Sequence, residues 1–261
     1  MLTTTFDDGS STRQPDELIV EDPMSIHLDD TLVATTMRTP GHDFDLAVGF
    51  CFTEGLLADA PVLACRYCGT GSAVDTEFNV VSVDTGGRAP VPTPRLGVTT
   101  SSCGLCGSTS LDDLAERLAP LTDTTPIPLA VLAAVPDRVR SDQDLFAVTG
   151  AVHAAAAFAA DGTVLVVRED VGRHNAVDKV IGRLLLDGCL PAGDLGLYVS
   201  GRASFELVQK AWAAGFSAMV AVSAPTALAV ATARRADLVL AGFVRGARMN
   251  VYAPERVGGQ A

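Results

Sequence analysis

Apolar residues follow two rhythms along the chain, and the change between them divides it. Up to residue 83 the apolar runs are short and interrupted. Residues 18–21 and 31–37 read as strands, and after a break at Pro40 and Gly41 the residues Phe44, Ala47, Val48 and Cys51 recur at helical spacing until Gly55. Residues 78–83 read as a further strand, so 18–83 forms a small α+β unit. Ahead of it, residues 1–17 are rich in Ser, Thr and Asp without any period and read as a flexible tail. Behind it, from 84 to 108, Gly, Pro, Thr and Ser replace the pattern; a loop this long in a compact protein marks function, and it closes a domain over 18–108.

A helix over 111–119, capped by Ser110 with Asp112 and Asp113 in its first turn, opens a second domain over 109–261. Residues 164–167, 195–199, 218–222 and 238–243 are short continuous apolar runs separated by helical patterns, most clearly Val177, Val180, Ile181, Leu184 and Leu185. That alternation predicts an α/β domain whose mostly parallel sheet is covered on both faces. Ligands of such sheets bind at the carboxyl ends of the strands, which places candidate chemistry in the loops 168–175, 200–204, 223–226 and 245–248. Residues 211–233 carry no charge over a length that can span a bilayer, but Gly215 and Pro225 punctuate them as a strand, a turn and a helix of a soluble core. No membrane partner is expected.

With 48% hydrophobic and 19% charged residues among 261, the chain is globular rather than disordered. A formal charge of −12 argues against binding nucleic acid through its backbone. The opening residues hold neither a basic segment nor an apolar run, so a cytoplasmic protein is expected. The charge is uneven: residues 1–167 hold 8 basic and 23 acidic residues, whereas 168–261 hold 11 and 8. Since 17 of the 19 basic residues are Arg, the second part suits a pocket for a compact, phosphate-bearing anion.

Six cysteines in such a chain point to thiol or metal chemistry rather than a disulfide framework. Residues 101–108 read SSCGLCGS, placing Cys103 and Cys106 in the long loop with Gly104 and Gly107 beside them. Such a pair can be half of a zinc site, a reversible dithiol or a persulfide carrier. Cys65 and Cys68 form a second Cys-x-x-Cys pair that can complete a zinc site, although the 34 residues between the pairs exceed common zinc-ribbon spacing. Base deamination is excluded: no His has Glu two residues on, and Ser102 stands where that chemistry needs Pro. The run 168–179, REDVGRHNAVDK, collects Arg168, Glu169, Asp170, Arg173, His174 and Lys179 at a strand end, either as a ligand edge or as a helix start whose charges satisfy one another.

Residues 37–55, 101–108, 168–179, 200–206 and 223–226, in that order, resemble the formate dehydrogenase accessory sulfurtransferase family, FdhD, and the resemblance spans about residues 18–256. It implies a cytidine-deaminase-like three-layer α/β/α domain beside the smaller N-terminal α+β domain. It also implies that a cysteine desulfurase loads a persulfide onto the loop and that the sulfur passes to the molybdenum of bis(molybdopterin guanine dinucleotide), bound as substrate, for formate dehydrogenase. By position, Cys103 would hold the persulfide and Cys106 assist. The family's cofactor-binding stretch falls on Phe243, Val244, Arg245, Gly246, Ala247 and Arg248, where GDP would mimic half of the cofactor. A homodimer and no resident metal are further expectations, the latter because persulfide transfer and closed zinc coordination compete for the same sulfur lone pairs. The alternative is a non-catalytic cofactor chaperone whose loop is fixed by zinc.

Overall fold

The computed structural model describes residues 1–67, 73, 74, 76–91 and 118–253. The segment read as a flexible tail is instead a hairpin of β1 (Leu2–Asp7) and β2 (Ser10–Pro15). Asp8 and Gly9 make its two-residue turn, both with positive φ, the backbone that Asp-Gly favours in a hairpin.

A four-stranded sheet follows, built from β3 (Asp22–Leu28), β4 (Thr31–Arg38), β5 (Ala64–Arg66) and β6 (Val80–Asp84) in the order β4-β3-β6-β5. The strand expected at 18–21 lies a few residues later. Met24, Ile26 and Leu28 alternate into the core with Val81 and Val83, and α1 (Asp43–Thr53) closes over them with Leu46, Ala47 and Val48.

The second sheet has six strands in the order β12-β11-β10-β9-β7-β8: β7 (His153–Ala159), β8 (Val164–Asp170), β9 (Leu195–Val199), β10 (Ala218–Ala221), β11 (Val239–Arg245) and β12 (Arg248–Val251). It is mixed rather than mostly parallel. Strands β9, β10 and β11 pair in parallel, while β7 runs antiparallel between β8 and β9, and β12 folds back along β11. Residues 245–248 are therefore the turn of a hairpin, not a strand-to-helix loop. On one face α2 (Leu129–Arg140) packs Leu132, Val135 and Val139 against Phe158, Tyr198 and Val244; a short helix, α3 (Asp144–Thr149), follows it. On the other face lie α4 (Arg173–Leu186), α5 (Phe205–Ala214) and α6 (Ala227–Ala236). The uncharged stretch 211–233 is the end of α5, β10 and part of α6, and among the described residues no helix is long and apolar enough to cross a membrane.

The two sheets are joined through α1 and α4, which meet at glycines. A Cβ on Gly49 would stand 2.6 Å from the carbonyl carbon of Asp178, and one on Gly182 would stand 2.7 Å from that of Asp45. Only residues without side chains let the two backbones approach so closely. A buried polar tie reinforces the joint: the Lys210 ammonium of α5 lies 2.9 Å from Asp178 of α4 and donates to Thr53 of α1 at 2.8 Å.

Candidate functional site

The loop from β8 into α4 shows what the REDVGRHNAVDK run does. Lys179 is buried with its Nζ 2.7 Å from Asp170 Oδ2, and it also donates to the Thr39 carbonyl at 2.9 Å. Asp170 accepts further hydrogen bonds from the Thr39 and Gly172 amides and from Asn175 Nδ2. A buried carboxylate and ammonium with this many partners form a satisfied clamp rather than a vacant site. The clamp fastens the chain at Thr39, after β4, to the start of α4. Arg168 reaches the same unit through Asp45 at 2.8 Å, and Glu169 accepts from the amides of Leu145 and Phe146 at the start of α3. Of this run, His174 faces the next loop instead, with Nε2 2.7 Å from Glu206 of α5.

The carboxyl ends of the parallel strands open on a cleft of 680 Å3. Tyr198 and Ser200 follow from β9, Val222 from β10, and Val244, Arg245 and Gly246 from β11. The opposite wall comes from α2 and α3, with Asp137, Arg140, Gln143 and Phe146, while His153 enters from the start of β7. Burial, with Arg173 and His174 adding to it, holds His153 below the usual histidine range, so at neutral pH the cleft meets an uncharged imidazole. Burial holds the Tyr198 hydroxyl above its ordinary value, so it stays protonated as a donor.

Beside this cleft the backbone is strained at one aromatic. Phe243 has φ 54° yet is 48% exposed, at a bulge in the pairing of β11 with β12. A bulky residue in the left-handed region is held there by its surroundings; here its amide donates to the Ser223 carbonyl of the neighbouring loop at 3.1 Å. Three residues on, Gly246 takes φ 55° in the tight turn between Arg245 and Arg248, which oppose one another across the hairpin. Of these groups, Arg245 and the bare backbone of Gly246 line the cleft.

A model of the FdhD/NarQ family matches residues 19–257. The chain belongs to that family. It is 49% identical over 257 residues to the sulfur carrier protein FdhD of Streptomyces avermitilis, covering 95% of this chain and 91% of that one. Its identity to the protein of the same name from Mycobacterium tuberculosis is 47% over 249 residues, covering 92% and 90%. Among solved structures it is similar to a protein of Desulfotalea psychrophila described as a formate dehydrogenase accessory protein. That match has a TM-score of 0.77 at 26% identity, over 98% of this chain and 97% of that one.

In this FdhD/NarQ chain Val244, Arg245 and Gly246 of the stretch 243–248 line the cleft, whereas Phe243, Ala247 and Arg248 are not in its lining. Cys103, Cys106 and Cys68, with most of the helix expected over 111–119, lie outside the described residues. Cys65 lies on β5, packed against the small core, where burial first and Asp45 second push its thiol up to about 11. That is the environment of an inert structural cysteine rather than a ready thiolate. Sequence reasoning did not find Arg140, Gln143 or His153: they sit on or beside α2, α3 and β7, which it did not place.

Proposed function

We propose that the chain is a sulfurtransferase for formate dehydrogenase: it takes sulfane sulfur from a cysteine desulfurase onto Cys103 and delivers it to bis(molybdopterin guanine dinucleotide) held at the cleft. The observation that carries this reading is the match, over more than nine-tenths of both chains, to a relative named a sulfur carrier protein. Loading balances as an exchange. The Cys103 thiolate attacks the outer sulfur of the donor's persulfide, the donor's S–S bond breaks, and the donor cysteine leaves as a thiolate. Delivery as sulfide balances if the Cys106 thiolate attacks Cys103 Sγ. The bond from Cys103 to the sulfane sulfur then breaks, a Cys103–Cys106 disulfide forms, and the electron pair of the broken bond leaves with the sulfide.

The cleft supplies what a dinucleotide substrate needs. Arg245 and Arg248 suit its phosphates, the turn at Gly246 admits them close to backbone, and Phe243 offers a ring face for stacking. Each charge-assisted contact contributes roughly 1.5–3 kcal/mol, so changing both arginines to alanine is expected to weaken GDP binding at least about tenfold by calorimetry. Unchanged affinity would move the phosphate site elsewhere. For the reaction itself, a strain lacking the protein is expected to lose formate dehydrogenase activity and to regain it on re-expression. Full activity in the deleted strain would overturn the reading.

A further inference from the structure

Of the four histidines, His153 alone lines the cleft, which it enters from the start of β7. Its ring packs against the loop after β9, where a Cβ on Gly201 would lie 3.4 Å from Nδ1. Among the described residues the ring makes no hydrogen bond or ion pair. Charged groups face it from several elements. Arg173 and His174 of α4 and Asp170 at the end of β8 act on the ring, and Asp170 is itself occupied by Lys179. Across the cleft stand Asp137 and Arg140 of α2 and Arg245 of β11, while β9 brings the uncharged Tyr198 and Ser200. Burial, Arg173 and His174 all favour the neutral ring, so it stays neutral until an anion lies beside it. The lining then carries two arginines and one aspartate, one positive charge in balance, against the two negative charges of a diphosphate bridged at both ends. A proton on His153 closes that gap.

We propose that the cleft takes up its diphosphate ligand together with a proton, which His153 accepts and carries for as long as the ligand is bound. The inference rests on the cofactor reading of the cleft and deepens it: guanidinium groups hold an anion at any pH, whereas an imidazole makes the hold depend on pH. The coupling is reciprocal, because the proton raises the affinity for the anion by the factor with which the anion raises the affinity for the proton. Release of the cofactor to its recipient enzyme therefore returns the proton, and a rise in pH favours that release.

The test is calorimetry on the whole chain with GDP-glucose, whose diphosphate is bridged at both ends like the cofactor's and does not itself titrate between pH 6 and pH 8. Titrations at pH 6.5 in buffers of different ionisation enthalpy count the protons exchanged. The parent is expected to take up roughly half a proton per ligand and to bind at least about threefold more tightly at pH 6 than at pH 8. The sign follows from the ring: it is neutral without the anion and charged with it, so lowering the pH favours the bound state. His153→Asn, which cannot take up a proton, is expected to bind with the same affinity at both pH values and without proton uptake. His153→Gln serves equally should the Asn variant not fold, and the count on the parent needs no variant. Uptake or pH dependence that persists in these variants would overturn the proposal, as would a parent that binds GDP-glucose with neither. In both of those cases binding lost in the Arg245 and Arg248 double variant would leave the cofactor reading standing. No binding to the parent at any pH would overturn the proposal and the cofactor reading together.

Discussion

A Gly182→Ala variant is expected to unfold at a midpoint roughly 6–12 °C below the parent, a loss of about 3 kcal/mol. Helix propensity alone predicts the opposite sign, because alanine is favoured over glycine inside a helix by up to about 1 kcal/mol. Contact geometry decides the matter. The new methyl group would meet the backbone of α1 at Asp45, and backbone cannot swing aside as a flexible side chain does. The helices must part, and with them the hydrogen bonds of Thr53 with Asp178 and Lys210 and the Arg168–Asp45 pair, which cross the same joint. Gly49→Ala should act alike from the other side, since its methyl group would meet Asp178. The two losses should add to less than their sum, because one separation relieves both clashes. Thermal unfolding followed by circular dichroism measures this. A midpoint at or above the parent's would show that the joint has slack.

Formate dehydrogenase activity in a complemented strain is expected to fall, with Cys103→Ala, to the level of the strain lacking the protein. An alanine has no sulfur to accept or carry a sulfane atom, and a covalent carrier without its nucleophile keeps only its binding contacts. Cys106→Ala should act differently, keeping loading but slowing delivery, because the thiol that displaces sulfide is then missing. Full complementation by Cys103→Ala would remove the persulfide from the account. Parent-like circular dichroism of the purified variant separates lost chemistry from lost fold.

The apolar runs at 195–199 and 218–222 marked β9 and β10 almost to the residue, because a buried parallel strand needs apolar residues on both faces. Strand β7 escaped the same reading. Its core is four consecutive alanines, Ala154 to Ala157, too small to register as a strand pattern yet sized for a position between two neighbours in a crowded sheet. Missing β7 also hid the antiparallel step in the sheet. In β3 three adjacent apolar residues at 18–20 drew attention from the alternating Met24, Ile26 and Leu28, which carry the strand. The hairpin before it announced itself only through Asp8 and Gly9, amid residues too polar to suggest pairing. Helix α2 contains Pro136, a residue that usually argues against a helix interior. At the site, the resemblance and the strand pattern put Arg245 at the carboxyl end of a strand, but a linear pattern cannot show that Gln143 lines the same cleft. Equally, charge spacing could not tell that Asp170 and Lys179 are occupied with each other and with Thr39.

Incubation of the purified protein with a cysteine desulfurase and cysteine, followed by mass spectrometry of its peptides, tests the central claim most directly. The account predicts one added sulfur atom on the peptide holding Cys103, absent when the desulfurase is omitted and absent in Cys103→Ala. Sulfur found instead on a cysteine outside the Cys103–Cys106 pair, or on no cysteine at all, would contradict it.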